Sequence, residues 1–389
     1  MPDQFALQLQ QRLAAQQQQH LTRTRRVFEK RDGSFAVVDG KRVINFCSYD
    51  YLHLATDERV KKAFAESASV NGLGSSGSAL ISGYSAAHER LEIAFAEFLQ
   101  RDSALLFNSG YHANLGVLTA LAGKDGVIIA DKYAHASLNA GAQLSRANFL
   151  RYRHQDLQQA EDLLQRQTTT LLVTESIFSM QGTLSNIPAL TSLAKKYHAT
   201  LVVDDAHGVG VLGKHGAGVC EHFQLSQQDV PCLITPLGKA FGSFGAIVSG
   251  ESALIEALIQ FAGSYRYCTA LPPAICDATL TALTIMHTET WRREKLQHLC
   301  EFFIREANAR HLPQASDDVT PIRTIIIGDN KKTETIQQTL LQKGLLVSCI
   351  RPPTVPANKA CVRIPLSVAH SETQIIYLLD CLKEAYDAR

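Results

Sequence analysis

An α/β fold, with a mainly parallel sheet followed by a smaller α+β unit, is what three features of this sequence predict. Between about Asn45 and Pro273, short β-branched runs alternate with helical patterns: VIIADK near 127, LLVTES near 171, TLVVDDAH near 200, CLITPLG near 232 and GAIVSG near 245. Strands that alternate with helices form parallel sheets, because each crossover needs a helix to return the chain. A long helical pattern then runs from Pro273 to about Arg310. After it, the polar stretch LPQASDDVTP leads into the strands IRTIIIG and LLVSCI and a final helix, which reads as a separate α+β unit. Ahead of all this lies an amphipathic, glutamine-rich stretch from Phe5 to His20, predicted to be a solvated helix, followed by a basic arm of Arg23, Arg25, Arg26, Lys30 and Arg31.

Length and composition narrow the function classes. The 389 residues, 46% of them hydrophobic and 19% charged, suffice for two or three structural units of an ordinary globular protein. The 38 basic and 37 acidic residues nearly cancel, so there is no overall footprint for nucleic acid or an anionic membrane. A small neutral or zwitterionic substrate suits the chain better. Nine cysteines, with no C-x-x-C pair, argue against a disulfide framework and a zinc ribbon, and point to a reducing compartment. The N-terminus lacks an apolar signal core and no later run is long enough for a membrane span, so a cytoplasmic location is expected.

Two glycine patterns invite a misreading. Gly72-Leu-Gly74-Ser-Ser-Gly77 and Gly208-Val-Gly210-Val-Leu-Gly213 both satisfy G-x-G-x-x-G. The first follows a helical stretch and the second leads into GKHGAG rather than a helix, so neither sits in the strand-turn-helix context of a dinucleotide site. A nucleotide P-loop is absent too, since Ser78 follows Gly77.

The chemistry gathers at strand ends. Asp204-Asp205-Ala206-His207 follows the apolar run LVV, placing acids and a histidine at a strand's C-terminal edge, where open α/β sheets bind ligands. Lys239, in TPLGKAFGSFGA, lies just past the next strand between Gly238 and Gly242, which would let a bulky ligand approach the backbone. Each alone has a plainer reading, a helix cap or a lysine in a turn, and no further ligand spacing supports a metal. Together they match the needs of pyridoxal phosphate: an acid keeps the pyridine nitrogen protonated so that the ring withdraws electrons, and a lysine amine binds the aldehyde. Ser109-Gly110-Tyr111, between ALLF and a helical pattern, offers a helix N-terminus for a phosphate, to which Thr235 could add a hydroxyl. His135 in DKYAHASLNAG reads either as a residue that stacks on the ring or, as a lone histidine, as a satisfied structural residue.

The segments SGYSAAHERLE, LLFNSGYHANLG, DKYAHASL, VTESIFSMQG, VDDAHGVGVLG, the Lys239 loop and IRPPTVP occur in one order that resembles the α-oxoamine synthases, from about Arg23 to the C-terminus. That resemblance implies a fold-type I pyridoxal-phosphate transferase, homodimeric, with a seven-stranded sheet. Its expected divisions are a helical arm over 1–44, a cofactor-binding large domain over 45–280 and a small domain over 281–389. Residue by residue, it implies that Lys239 holds the cofactor and later removes an α-proton, that Asp204 pairs with the ring nitrogen, and that His207 bonds the phenolic oxygen. His135 would stack on the ring, Ser109, Gly110, Tyr111, Ser179 and Thr235 would face ring or phosphate, and Thr269 would reach the phosphate from the partner subunit. Arg363 would grip the amino-acid carboxylate as a bidentate fork. Arg351 and Thr354 would lie beside the acyl chain, with Arg23, or else Arg25 or Arg26, in the family's N-terminal arginine position. IRPPTVP followed by RIPLSVAHS most resembles the members that condense L-alanine with a pimeloyl thioester, carried by coenzyme A or acyl carrier protein, rather than the glycine-using members.

The chain departs from the family pattern in SYDYLHL, where Tyr49 stands for an asparagine and His53 for a glycine, and again at Gln181, Thr183 and Cys268. The rival readings are another fold-type I enzyme such as an aminotransferase or aldolase, a non-catalytic subunit, which would lack Lys239, and a nucleic-acid binder using the basic arm, which would need aromatic interleaving.

Overall fold

The computed structural model describes residues 4–168 and 170–388, and it divides into two compact units. In chain order the strands are β1 (Phe28–Asp32), β2 (Phe35–Val38), β3 (Lys41–Phe46), β4 (Ser103–Phe107), β5 (Val127–Asp131), β6 (Asn148–Tyr152), β7 (Thr170–Glu175), β8 (Thr200–Asp204), β9 (Cys232–Pro236), β10 (Ala246–Gly250), β11 (Ile322–Gly328), β12 (Leu345–Ile350) and β13 (Ala360–Pro365).

The larger unit, Tyr49–Ser179 with Leu184–Glu294, is built on a seven-stranded sheet in the order β4-β10-β9-β8-β7-β5-β6. Its pairs from β9 through β6 are parallel, and β10 runs antiparallel to both β9 and β4. Strands β5, β7, β8 and β9 are buried along nearly their whole length, as strands covered on both faces are. On one face Leu105, Ile128, Val173, Val202, Ile234 and Val248 form a core with Val117 and Leu118 of the helix Gly110–Leu121 and Leu138 of the helix Ala136–Ser145. Burial of these side chains supplies the driving force at roughly 25 cal/mol per Å² of apolar surface.

The expected long helix after Pro273 is two helices, Pro273–Thr288 and Trp291–Ala309. The break lets the nearly buried Arg292 find a full set of acceptors. Its guanidinium donates to the Leu52 carbonyl at 2.7 Å and bonds Asp57 at 3.2 Å and Glu289 at 2.8 Å. The unit therefore runs on to Glu294 instead of ending at 280, since the helix Pro273–Thr288 packs against Glu58–Asn71 and its Asp277 accepts from Ser67 and Arg90.

The smaller unit joins residues up to Ser48 and Met180–Thr183 to the chain from Lys295 onward. Its six-stranded sheet runs β1-β2-β3-β12-β13-β11, with β3 and β12 parallel and the remaining pairs antiparallel. The segment expected to be a helical arm is helical only over Gln4–Gln18, which buries no residue. The rest is a meander that turns at Asp32-Gly33 and Asp39-Gly40, where Gly33, Asp39 and Gly40 all have positive φ. Its buried Ala36, Val38 and Val43 pack with Leu346 of β12, which is why it belongs to the smaller unit rather than forming a separate arm. Among the described residues, no helix is long and apolar enough to cross a membrane.

Gly242 tests the larger unit's packing. At φ +60° a Cβ added there would lie 2.2 Å from the Ala55 nitrogen, so the glycine is required by the backbone of Leu54–Ala55 rather than by room for a ligand. Gly242→Ala is expected to cost about 2–4 kcal/mol by combining a left-handed φ with a backbone clash, read as a fall in the urea midpoint.

Candidate active site

The functional side chains of the larger unit stand where parallel strands end. Asp204 closes β8 and is 4% exposed. One of its oxygens accepts from Asn114 Nδ2 at 2.7 Å and the other from the Ala206 backbone at 3.1 Å, so each keeps a lone pair for a further donor. Asn114, in the second turn of the helix Gly110–Leu121, also donates to Ser137 at 2.8 Å. It ties the acid to both helices of that face, a role its place in LLFNSGYHANLG does not announce.

Two more acids share this edge. Glu175 ends β7 directly opposite Asp204 in register. Burial, reinforced by the charge of Asp204, pushes its carboxyl well above the usual range, while the charge of Lys239 and the backbone N–H groups of His135 and Ser179 pull it down. Asp205 points elsewhere: it accepts from Val219 N at 2.9 Å, and burial pushes it up to about 7. Lys239 is half-buried in the turn after β9, where its backbone carbonyl accepts from Gly242 at 2.9 Å. Its charge acts on His135 and Glu175 alike.

His135 caps the helix Ala136–Ser145, with Nδ1 bonded to Ser137 Oγ at 2.7 Å. Burial lowers its pKa, the charge of Asp204 opposes that shift and the charge of Lys239 adds to it. His207 is 3% exposed, and its Nδ1 meets the phenol of Tyr51 at 2.7 Å. Tyr49 sets its ring edge-on to His207 at 5.7 Å. His53 takes a left-handed φ of 56°, a conformation glycine adopts without strain.

At the N-terminus of the helix Gly110–Leu121, the Ser109 hydroxyl accepts from His112 N at 3.2 Å. Gly110 packs so closely that a Cβ would lie 2.7 Å from Pro236 Cγ, and Tyr111 is 48% exposed. Ser179 is buried, and Thr269 is exposed with its carbonyl accepting from Asn108 at 2.7 Å.

Thr235 does not join this group. Asp204 pairs with Ile234, whose side chain lies in the core beneath the helix Gly110–Leu121, so Thr235, one residue on, projects to the opposite face. Its hydroxyl is buried there without a partner. Pro236 holds the register position on the Asp204 face.

The remaining predicted residues lie in the smaller unit, around an open cleft of about 1660 Å³ whose lining includes Arg23, Arg26, Arg351, Thr354 and Arg363. Arg351 donates to the backbone carbonyls of His20 and Thr22. Arg26 bonds Asp39 at 3.3 Å, Arg25 is not in the lining, and Arg363, from β13, approaches Met180 Sδ at 3.6 Å.

The larger unit's edge fits pyridoxal phosphate. A buried carboxylate with spare acceptor capacity suits a pyridinium N–H, an amine lies on the adjoining strand end, and the N-terminus of a twelve-residue helix suits a phosphate. Buried Asn114 Oδ1 and Glu175 Oε1, beside Asp204, find no protein partner, as expected where a polar group completes the edge.

Comparison with known proteins agrees. Residues 41–382 match the model of the aminotransferase class I and II family. The chain is 46% identical to an 8-amino-7-oxononanoate synthase of Pseudomonas putida over 98% of both chains, and 45% identical to one of Nitrosococcus oceani over 95% of this chain and 98% of that one. Among solved structures it resembles a serine palmitoyltransferase from S. paucimobilis with a bound PLP–myriocin aldimine, at TM-score 0.93 and 27% identity over 98% of each chain. It also resembles an 8-amino-7-oxononanoate synthase from Francisella tularensis, at TM-score 0.79 and 34% identity over 88% of this chain and 97% of that one.

Asp205 gives a pH test. Its carboxyl sits at about 7 in the fold against an ordinary 3.8, so over that window the folded state binds more protons than the unfolded state, and stability falls as pH rises. Asp205→Asn removes that loss. Urea midpoints taken from about pH 5 to about pH 8 are expected to decline less in the variant than in the parent.

Proposed function

Because the chain belongs to the aminotransferase class I and II family, and within it to the 8-amino-7-oxononanoate synthases, we propose that it joins L-alanine to a pimeloyl thioester. The alanine Cα–carbonyl bond forms as the C–S bond breaks. The thiol departs, the carboxylate leaves as carbon dioxide, a proton replaces it, and 8-amino-7-oxononanoate results as an intermediate of biotin synthesis. The observation that carries this reading is the placement of Asp204 at the end of β8 and Lys239 just past the adjacent β9.

Lys239 Nζ would hold pyridoxal phosphate, which when bound would supply an electron sink for the pair left when the alanine Cα–H bond breaks. Asp204 stabilises the protonated pyridine nitrogen, and Asn114 and the Ala206 N–H fix the carboxylate for that task. Lys239 takes the Cα proton as general base. His135 would cover the ring and His207 would bond its phenolic oxygen, while the N-terminus at Ser109–Tyr111 would hold the phosphate and Ser179 would face the ring. Arg363 receives the alanine carboxylate as a two-pronged donor. Arg351 acts through the backbone of His20 and Thr22, fixing the segment that carries Arg23, and Arg23 with Thr354 faces the acyl chain. The acyl donor is a thioester of coenzyme A or acyl carrier protein.

A homodimer with shared sites is supported by apolar side chains exposed on the larger unit, among them Leu73 at 90%, Ile81 at 84% and Tyr267 at 78%. Exposed Thr269 would then reach the partner's phosphate. The nine cysteines, none of them in a disulfide among the described residues, suit the reducing cytoplasm.

Lys239→Ala is expected to abolish thioester-dependent release of labelled carbon dioxide from carboxyl-labelled L-alanine while leaving the circular dichroism unchanged. Arg363→Ala is expected to raise the KM for alanine roughly 30-fold or more, the worth of a charged hydrogen-bonded pair. Turnover of glycine in preference to alanine, or no response to pimeloyl thioester, would refute the assignment.

A further inference from the structure

The Tyr51–His207 contact has a consequence for which proton His207 carries. Tyr51 is fully buried, and its phenolic oxygen lies 2.7 Å from His207 Nδ1. The segment that presents it is tightly held. The Asp50 carboxylate accepts from Leu54 N at 2.8 Å and Ala55 N at 3.1 Å, Arg292 donates to the Leu52 carbonyl at 2.7 Å, and Gly242 leaves no slack beside Ala55. The ring of Tyr49, 5.7 Å from His207 and 6.2 Å from Tyr51, closes one side of the imidazole. A buried imidazole so confined cannot turn over freely, and the group at one ring nitrogen decides the proton at the other.

We propose that Tyr51 is a positioning residue: by donating its phenolic proton to His207 Nδ1, it fixes the tautomer with the proton on Nε2, so that Nε2–H is the donor directed at the cofactor's phenolic oxygen. The reverse arrangement, with Nδ1–H donating to Tyr51, would leave Nε2 as an acceptor facing an oxygen that needs a donor. This proposal rests on the reading of His207 as a cofactor ligand. It adds a residue that touches neither substrate nor cofactor but selects the active form of one that does.

The test uses ¹⁵N-histidine-labelled protein, with and without pyridoxal phosphate, as the parent and as Tyr51→Phe, which keeps the ring and removes only the hydroxyl. His207→Asn assigns the His207 signals. Two-bond ¹H–¹⁵N spectra are expected to show Nε2–H alone in the parent and a mixture of tautomers in Tyr51→Phe. In the loaded protein, the pH at which the visible cofactor band titrates is expected to rise by roughly one unit, a tenfold change in proton affinity, on loss of the donor to the phenolic oxygen. Turnover is expected to fall roughly tenfold, mainly in kcat. Combining the two substitutions is expected to cost no more than His207→Asn alone. Nδ1–H in the parent, or a tautomer and titration indifferent to Tyr51→Phe, would overturn the proposal. Failure of the underlying functional reading looks different: the parent itself would then show no titrating cofactor band, although its tautomer without cofactor would still report whether Tyr51 sets it.

Discussion

Three carboxyl groups crowd the ends of β7 and β8, and their burial side by side constrains everything else at that edge. Glu175, Asp204 and Asp205 are all buried. Burial drives the first and third towards protonation, and the charge of Asp204 adds to both shifts. Asp204, whose charge acts on both neighbours, accepts from Asn114 and from the Ala206 N–H. An edge with three full charges would repel itself, and one with none could not hold a pyridinium. Glu175 accepts the backbone N–H groups of His135 and Ser179, which oppose the upward shift that burial and the charge of Asp204 cause.

The parallel sheet makes this arrangement possible. Neighbouring parallel strands end at one edge, so residues far apart in sequence, Glu175, Asp204 and Lys239, are delivered to the same side without any long-range signal. The helix Gly110–Leu121 does the rest, presenting its N-terminus to the edge and sending Asn114 back to brace Asp204. In the smaller unit an analogous economy operates. Arg351 uses its guanidinium on backbone carbonyls of His20 and Thr22, which places an otherwise unburied N-terminal segment at the cleft that Arg363 also lines.

Periodicity and motif context make β5, β7, β8, β9 and β10 legible in the sequence, because each buried strand carries a compact apolar run, whereas the half-exposed β6, NFLRY, carries none. The meander Phe28–Phe46 has two Asp-Gly turns as hairpin signals, but its short, partly exposed strands carry little apolar weight and resemble a basic arm. Strand β13 was missed likewise, its ACVRIP run hidden behind the proline-rich IRPPTVP loop. Asp204, His207 and Lys239 could be picked out because acids, imidazoles and amines at strand ends are conspicuous. Asn114 and Tyr51 were not, since a residue that acts through another looks in sequence like any polar or aromatic core residue. Glu175 carries the same strand-end signal as Asp204.

Thr235 shows where reasoning from nearby hydroxyls fails. It stands four residues before Lys239 and beside the site in sequence, yet a strand reverses its face at every residue, so proximity along the chain is worth less than parity. Counting from Asp204 through its partner Ile234 gives the answer without any side-chain detail: even steps along β9 stay on the Asp204 face, and Thr235 is an odd one. The even position belongs to Pro236, which has neither hydroxyl nor N–H to offer. It packs instead against Gly110, so closely that only glycine fits. What Pro236 contributes at this edge is shape: it supports the N-terminus of the helix Gly110–Leu121.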